Sequence, residues 1–313
     1  MIKEVSIALK AKVMKDQLNV EKPLVLNSLP LCLIEMVYSL RIRYIVTDKV
    51  CLGYCGTNIK EEYLNIKDYE RGNNYARIKK EACSDNLLKF YEKVYCFSES
   101  KGNPLGFSNE VFYRQKGSDL SEEDLEKLRS VATESQEYWL EVEKPCPKGK
   151  EEMQNEEQFQ KRYESSKSSN ELKLYRSEIV EKIAEIFLSK RIISVGEFKT
   201  LKEDKKDEIF KKIKEIDGIG DAGVMYLQAL LGNESFCKPD TQLKNYVKEA
   251  FGKEPNLSAY FYNEIMAETV EMLRSEEKYK NLTVRQLDYM IWKKQRDESK
   301  QSNNCKQYFC QRR

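Results

Sequence analysis

Between Leu172 and Gln295, apolar residues recur at intervals of three and four, segment after segment, with short links containing glycine or asparagine. That spacing gathers apolar side chains on one face of a helix, so this half of the chain is constrained to fold as packed helices. "LYRSEIVEKIAEIFLSKR" places Ile179, Ile183, Ile186 and Phe187 on one face. "VGEFKTLKEDKKDEIFKKIKEI" predicts a single further helix with Ile209, Phe210, Ile213 and Ile216 in register. "DAGVMYLQALLG" is short, strongly apolar and stops at Gly232, and "DTQLKNYVKEAFG" opens on an aspartate cap and stops at Gly252. "SAYFYNEIMAETVEMLRSE" and "TVRQLDYMIWKKQR" predict two more helices, and no period repeats along the chain.

The first half reads differently. "LPLCLIEMVYSLRIRY" carries a wide apolar face through Leu33, Ile34, Met36, Val37 and Leu40, with Pro30 suited to a first helical turn. Thr47 or Asp48 is placed to cap a short second helix that Gly53 or Gly56 ends. From Ile59 to about Asn170 the chain is rich in charge and tyrosine. It includes an amphipathic helix in "CSDNLLKFYEKVYCF", capped by Ser84 or Asp85, and a helix opened by Ser121 and Asp124 in capping-box spacing. A polar connector follows. The organisation expected is therefore N-terminal helices over 1–58, an inserted segment over 59–170, a helical domain over 171–295 and a basic, flexible tail over 296–313.

Composition narrows the chemistry. The 313 residues include no histidine, which excludes Ser-His and Cys-His nucleophile systems and most catalytic zinc sites. Acid–base work must fall to Asp, Glu, Lys, Tyr or Cys. The net charge of +2 names no partner, so a nucleic-acid surface must be a local patch. The nine cysteines contain no CxxC pair and lack four-cysteine cluster spacing, so they read as reduced thiols filling cores, with no metal or other cofactor expected. Charges interrupt the apolar positions of the N-terminus, and the longest apolar run is far too short to span a bilayer. A soluble, cytoplasmic monomer is expected.

One stretch combines features that carry chemistry. In "KKIKEIDGIGDAGVMYLQALL", Gly218 and Gly220 form a tight turn between two helices, with Ile219 packing inward. Amides at the start of the second helix can hold a phosphate oxygen, although a plain helix–helix turn accounts for the glycines equally well. Downstream, Lys238-Pro239-Asp240-Thr241 is a strong helix-start signal, so capping by itself accounts for Asp240.

Taken together, "IDGIGDAGVMYLQALL" and "KPDTQLKNYV" resemble the helix-hairpin-helix DNA glycosylase superfamily, whose members carry a glycine hairpin, a helix and then a catalytic Asp-Thr. Gly218, Ile219 and Gly220 match the hairpin, and Asp240 and Thr241 match the Asp-Thr. Ala222 stands where bifunctional members have lysine, and Asp240 follows it by 18 residues, a spacing similar to the family's. "LCLIEMVYSLRIRYIVTDKVCLGYC" resembles the family's early helix pair and "QLDYMIWKKQ" its late helix, so the likeness covers Leu24–Ile59 and Leu172–Gln295. The pairing of Leu29–Cys32 with Lys238–Asp240 is similar to a divergent bacterial branch.

The resemblance implies a mostly α, two-lobed bundle with a family-specific insertion, acting on double-stranded DNA with a flipped base. It makes Asp240 the catalytic carboxylate, stabilising an oxocarbenium-like sugar and orienting water. Gly218, Ile219, Gly220, Ala222, Gly223, Lys238 and Thr241 would contact DNA, and Glu35, Tyr38, Ser39 and Tyr44 would line the base pocket. Arg41 and Arg43 could touch phosphate, while Tyr91, Tyr95, Phe107, Phe112 and Tyr113 could supply a reading loop or merely a satellite core. Trp139 and Trp292 read as core residues. With alanine at 222 no amine is placed to form a Schiff base, which predicts base removal by water and an abasic product. A non-catalytic DNA-binding protein that keeps the hairpin is the alternative, and a helical scaffold without a nucleic-acid role is the third reading.

Overall fold

The computed structural model describes residues 1–23, 26–40, 47, 50–51, 54, 86–96, 174, 176–253, 255 and 257–302. Among them regular structure is helical throughout. Tyr44, Arg41, Arg43, Phe107, Phe112, Tyr113, Trp139, the helix expected from Ser121 and the basic tail beyond Ser302 lie outside the described residues. The chain divides into two compact units, Met1–Val25 with Ile219–Lys306, and Leu26–Gly218 with Gln307–Arg313.

In the first unit, α1 (Ile2–Lys15) packs on α8 (Thr241–Phe251) and α9 (Ala259–Leu273), and both of those pack on α10 (Val284–Ser302). α7 (Asp221–Leu230) touches α9. Val5, Leu9 and Val13 recur every fourth residue on α1 and are fully buried among Leu243, Tyr246, Ile265, Met266 and Leu287. Ser6 permits the close approach of α1 to α9. Its hydroxyl donates to the Ile2 carbonyl at 3.0 Å and the Ile265 carbonyl at 3.3 Å, and Thr269 Oγ1 donates to the Ser6 carbonyl at 3.5 Å. The far end of α1 is tied down by Asp16, which accepts from the Tyr246 hydroxyl at 2.8 Å and pairs with Lys12 at 3.1 Å. α10 opens with a reciprocal capping box, Gln286 N to Thr283 Oγ1 at 3.2 Å and Thr283 N to Gln286 Oε1 at 2.9 Å.

In the second unit, α4 (Arg176–Ser189) packs against α2 (Leu29–Tyr38), α3 (Leu87–Tyr91) and α6 (Glu203–Lys214). α2 is buried on every side, consistent with its unbroken apolar run, and starts at Ser28, whose hydroxyl accepts from Leu31 N at 3.3 Å. Arg176 donates to the Leu40 carbonyl at 3.1 Å, just beyond the end of α2.

Three sequence expectations are corrected here. The helix in "CSDNLLKFYEKVYCF" is capped by Asn86, not by Ser84 or Asp85, because it begins at Leu87 and Asn86 Oδ1 reaches Lys89 N at 2.9 Å; it passes into a π-helical turn over Glu92–Cys96. The single helix expected from "VGEFKTLKEDKKDEIFKKIKEI" is two, α5 (Val195–Thr200) and α6, broken where Leu201 is extended at φ −67°, ψ 149°. The break lets Phe198 turn into the core edge-on to both Phe187 and Phe210, at 5.8 and 5.7 Å. Trp292 is only half-buried, stacked on Tyr289 at 5.8 Å with the Arg296 guanidinium 4.5 Å from its centre.

Ser6→Leu places a branched side chain where α1 meets α9 and is expected to destabilise by about 1–3 kcal/mol through overpacking, read as a lower urea midpoint with an unchanged slope.

Candidate functional site

Asp240 sits at the end of an irregular segment, Glu234–Asp240, that leaves a turn at Glu234 and Ser235 and is held from two helices of the first unit. From α9, Asn263 Oδ1 accepts from Cys237 N at 3.0 Å and Asn263 Nδ2 donates to the Ser235 carbonyl at 3.1 Å. From α10, Arg285 N donates to the Glu234 carbonyl at 3.1 Å, and Asp288 Oδ2 accepts from Lys238 N at 3.2 Å. Pro239 keeps Lys238 extended, and Asp240 N closes a tight turn onto the Lys238 carbonyl at 2.6 Å. The backbone that delivers Asp240 is thus tied to α9 and α10 at Glu234, Ser235, Cys237 and Lys238.

Asp240 caps α8. Its Oδ1 accepts from Gln242 N at 2.9 Å and Leu243 N at 3.1 Å, while among the described residues Oδ2 accepts no hydrogen bond. The side chain is half-buried, and the helix start favours its negative charge. Capping and a ligand-facing role are therefore compatible, because they use different oxygens.

Behind this carboxylate lies a second one that the sequence reading passed over. Asp288 is only 6% exposed, and its Oδ2 also accepts from Arg285 Nη1 at 3.1 Å. Burial pushes its carboxyl up to about 7, with the Asp240 charge adding to the rise and Arg285 and the Lys238 amide opposing it. Burial also pushes the neighbouring Cys237 thiol well up, with Asp288 adding to the shift, so that thiol is held in its neutral, unreactive form. Tyr226 of α7 completes the cluster, its ring lying 4.2 Å from Lys238 Nζ and 5.5 Å from the Arg285 guanidinium. Arg285 and Asp288, three apart at the start of the late helix, were a readable signal; Asn263 and Tyr226 carried none.

The hairpin is also specific in its demands. Gly218 has φ +92°, which favours glycine, and a Cβ there would stand in tight contact, 3.3 Å from Ile179 Cδ1. Gly220 differs. It has φ −109°, is exposed, and a Cβ built on it meets nothing within 4 Å. Gly220 is the N-cap of α7, a position that takes serine or asparagine as readily, so among the described residues nothing requires glycine there. Ile219 is buried, and Ala222 is half-buried in the first turn of α7. Gly223 is buried and its amide donates to the Gly220 carbonyl at 3.0 Å, which commits it to the helix. Thr241 is exposed at the first position of α8. Lys211, Lys212 and Lys214 form the exposed last turn of α6 that leads into the turn.

The expected pocket residues lie in the second unit. Glu35, Tyr38 and Ser39 are all buried; Cys51 Sγ approaches Glu35 Oε2 at 4.0 Å, Thr47 donates to the Tyr38 carbonyl at 2.9 Å, and Ser39 donates to the Met36 carbonyl at 2.8 Å. Tyr91 and Tyr95 bond within that unit, to Glu185 and to the Ser177 carbonyl, both at 2.9 Å. Among the described residues no three acidic or thiol side chains are grouped to hold a metal ion, and no helix is long and apolar enough to cross a membrane.

Residues 144–296 match the model of a family described as a domain of unknown function, DUF8548. The matched stretch runs from ahead of α4 through most of α10 and includes the hairpin, Asp240 and Asp288. No curated protein and no solved structure matches the chain.

Two outcomes test this description. Asp240→Ala removes the cap and is expected to cost about 1 kcal/mol, whereas Asp240→Asn, an equally good cap, stays within a few tenths of a kcal/mol, both by chemical denaturation. Asp288 has a folded pKa raised above its unfolded value of 3.8, so its proton stabilises the fold most at low pH. That contribution declines as pH rises from 3.8 to about 7 and levels off above. The stability difference between wild type and Asp288→Asn should follow that course in melts from pH 4 to 8.

Proposed function

We propose that the chain is a monofunctional DNA glycosylase of helix-hairpin-helix type, which hydrolyses the N-glycosidic bond of a damaged or modified base and leaves an abasic site. In this reading its two compact units are the lobes of such an enzyme, working as a cytoplasmic monomer on double-stranded DNA. The observation that carries the reading is the Asp240 carboxylate, tethered through Oδ1 to two helix amides and keeping Oδ2 for a sugar or water.

The chemistry follows from that tether. Cleavage develops positive charge on the deoxyribose, and a fixed carboxylate stabilises it without reorganising at the moment of reaction. The same oxygen orients the water that attacks the anomeric carbon. A base must leave the stack to expose that carbon, and unstacking is easiest for a damaged or mispaired one. The hairpin supplies the grip on the strand. An exposed glycine at 220 with no internal need to be glycine fits a backbone that another backbone approaches, and the lysines ending α6 add attraction for phosphate. Ala222 leaves no amine for Schiff-base chemistry.

The second reading, a DNA-binding module without catalysis, is favoured by the capping bonds of Asp240, which account for that carboxylate without any chemistry. Duplexes carrying uracil, oxidised purines, alkylated purines or modified cytosines, treated with alkali after incubation, separate the two. Base release that disappears in the fold-neutral Asp240→Asn supports the glycosylase. Salt-sensitive binding without release supports the module, and neither binding nor release leaves a scaffold. Gly220→Asn, at the N-cap of α7 where asparagine serves at least as well as glycine, is expected to leave stability within a few tenths of a kcal/mol and to weaken duplex binding at least tenfold. Borohydride trapping is expected to yield no covalent adduct; a good yield would contradict hydrolysis by water.

A further inference from the structure

We propose that Asp288 is the positioning residue of the Asp240 site, holding the Lys238–Asp240 backbone so that Asp240 keeps one oxygen on α8 and offers the other outward. The inference rests on the reading of Asp240 as a ligand-facing carboxylate, but it has its own test. Its basis is geometric: a single oxygen of a buried carboxylate takes both the Lys238 amide, two residues ahead of Asp240, and the Arg285 guanidinium. A carboxylate buried at such cost for one backbone amide is more than a core filler needs; an apolar side chain of the same volume would pack without the desolvation penalty. The cations around it belong to the same arrangement. Arg285 and Lys238 both lie against the Tyr226 ring, so the charges that offset Asp288 are themselves held by α7.

The charged and titratable groups facing Asp288 are Arg285 on its own helix and Lys238, Cys237 and Asp240 on the opposing segment. Ionised Asp288 accepts the Lys238 amide as a charge-assisted bond and pairs with Arg285; protonated Asp288 does neither as strongly. The Lys238 bond and the Arg285 pair are therefore stronger at pH 8 than at pH 5, while the net contribution of Asp288 to fold stability is larger at low pH, where its buried charge and its repulsion of Asp240 are removed.

Asp288→Asn keeps the volume and one acceptor oxygen, removes the charge and turns the second oxygen into an NH2 donor. Hydrogen-exchange protection of the Gln242 and Leu243 amides, which report the Asp240 cap, is measured at pH 8 and pH 5 in the full chain. At pH 8 the variant is expected to lose protection about three- to tenfold at these amides, while those of α1 and α9 are unchanged. At pH 5, where wild type has become neutral at 288, the two proteins should agree. Equal protection at pH 8, the same loss at both pH values, or a loss spread over the whole unit would overturn the proposal. On any duplex of the panel that is processed, Asp288→Asn should lower the single-turnover rate severalfold at pH 8 without weakening duplex binding; a loss confined to binding overturns it as well. If no duplex is processed, the glycosylase reading falls while the exchange measurement still decides the role of Asp288.

Discussion

The bond from the Lys238 amide to the buried Asp288 carboxylate is the contact on which the candidate site depends. An irregular segment between two helices has no ladder of its own, and each of its amides and carbonyls would otherwise be left to water. Here Asn263 from one helix and Arg285 and Asp288 from another bond four of them. The result ties the segment that leads to Asp240, ahead of α8, to two helices. Rigidity matters for any carboxylate asked to stabilise charge that exists only in passing, because displacement by an ångström forfeits much of the effect.

The two hairpin glycines illustrate how one sequence signal can have two causes. Gly218 answers to the fold: its positive φ strains any side chain, and the Ile179 methyl crowds a Cβ there. Gly220 has no such constraint among the described residues, where its place as the N-cap of α7 would take serine or asparagine as well. A glycine that the protein does not need for itself is better evidence of an approaching partner than one that holds a turn closed. The same reasoning separates the oxygens of Asp240, one absorbed by capping and one left over.

Much of the helical framework was legible because amphipathic periodicity and caps are local. The aspartate cap and glycine stop of α8 appear where the pattern puts them, and Gly252 indeed has φ +77°. Illegible features were those set by distant partners. The break at Leu201 is dictated by Phe198 finding Phe187 and Phe210, and no residue near 201 announces it. α1 joins the C-terminal helices through Ser6 and Ile265, 259 residues apart, a pairing that its own periodicity does not specify. Trp292 looked like core because tryptophan is usually buried, yet it is stacked half-exposed on Tyr289.

The sequence by itself determined the helical class, the positions of most helix ends, the absence of histidine chemistry and the two short motifs worth weighing, because each rests on residues close together in the chain. Only tertiary structure decided that Asp240 is backed by Asp288, Arg285 and Tyr226. Burial and charge pairing depend on which helices meet, and a carboxylate 48 positions further on is silent until packing places it against the segment it holds.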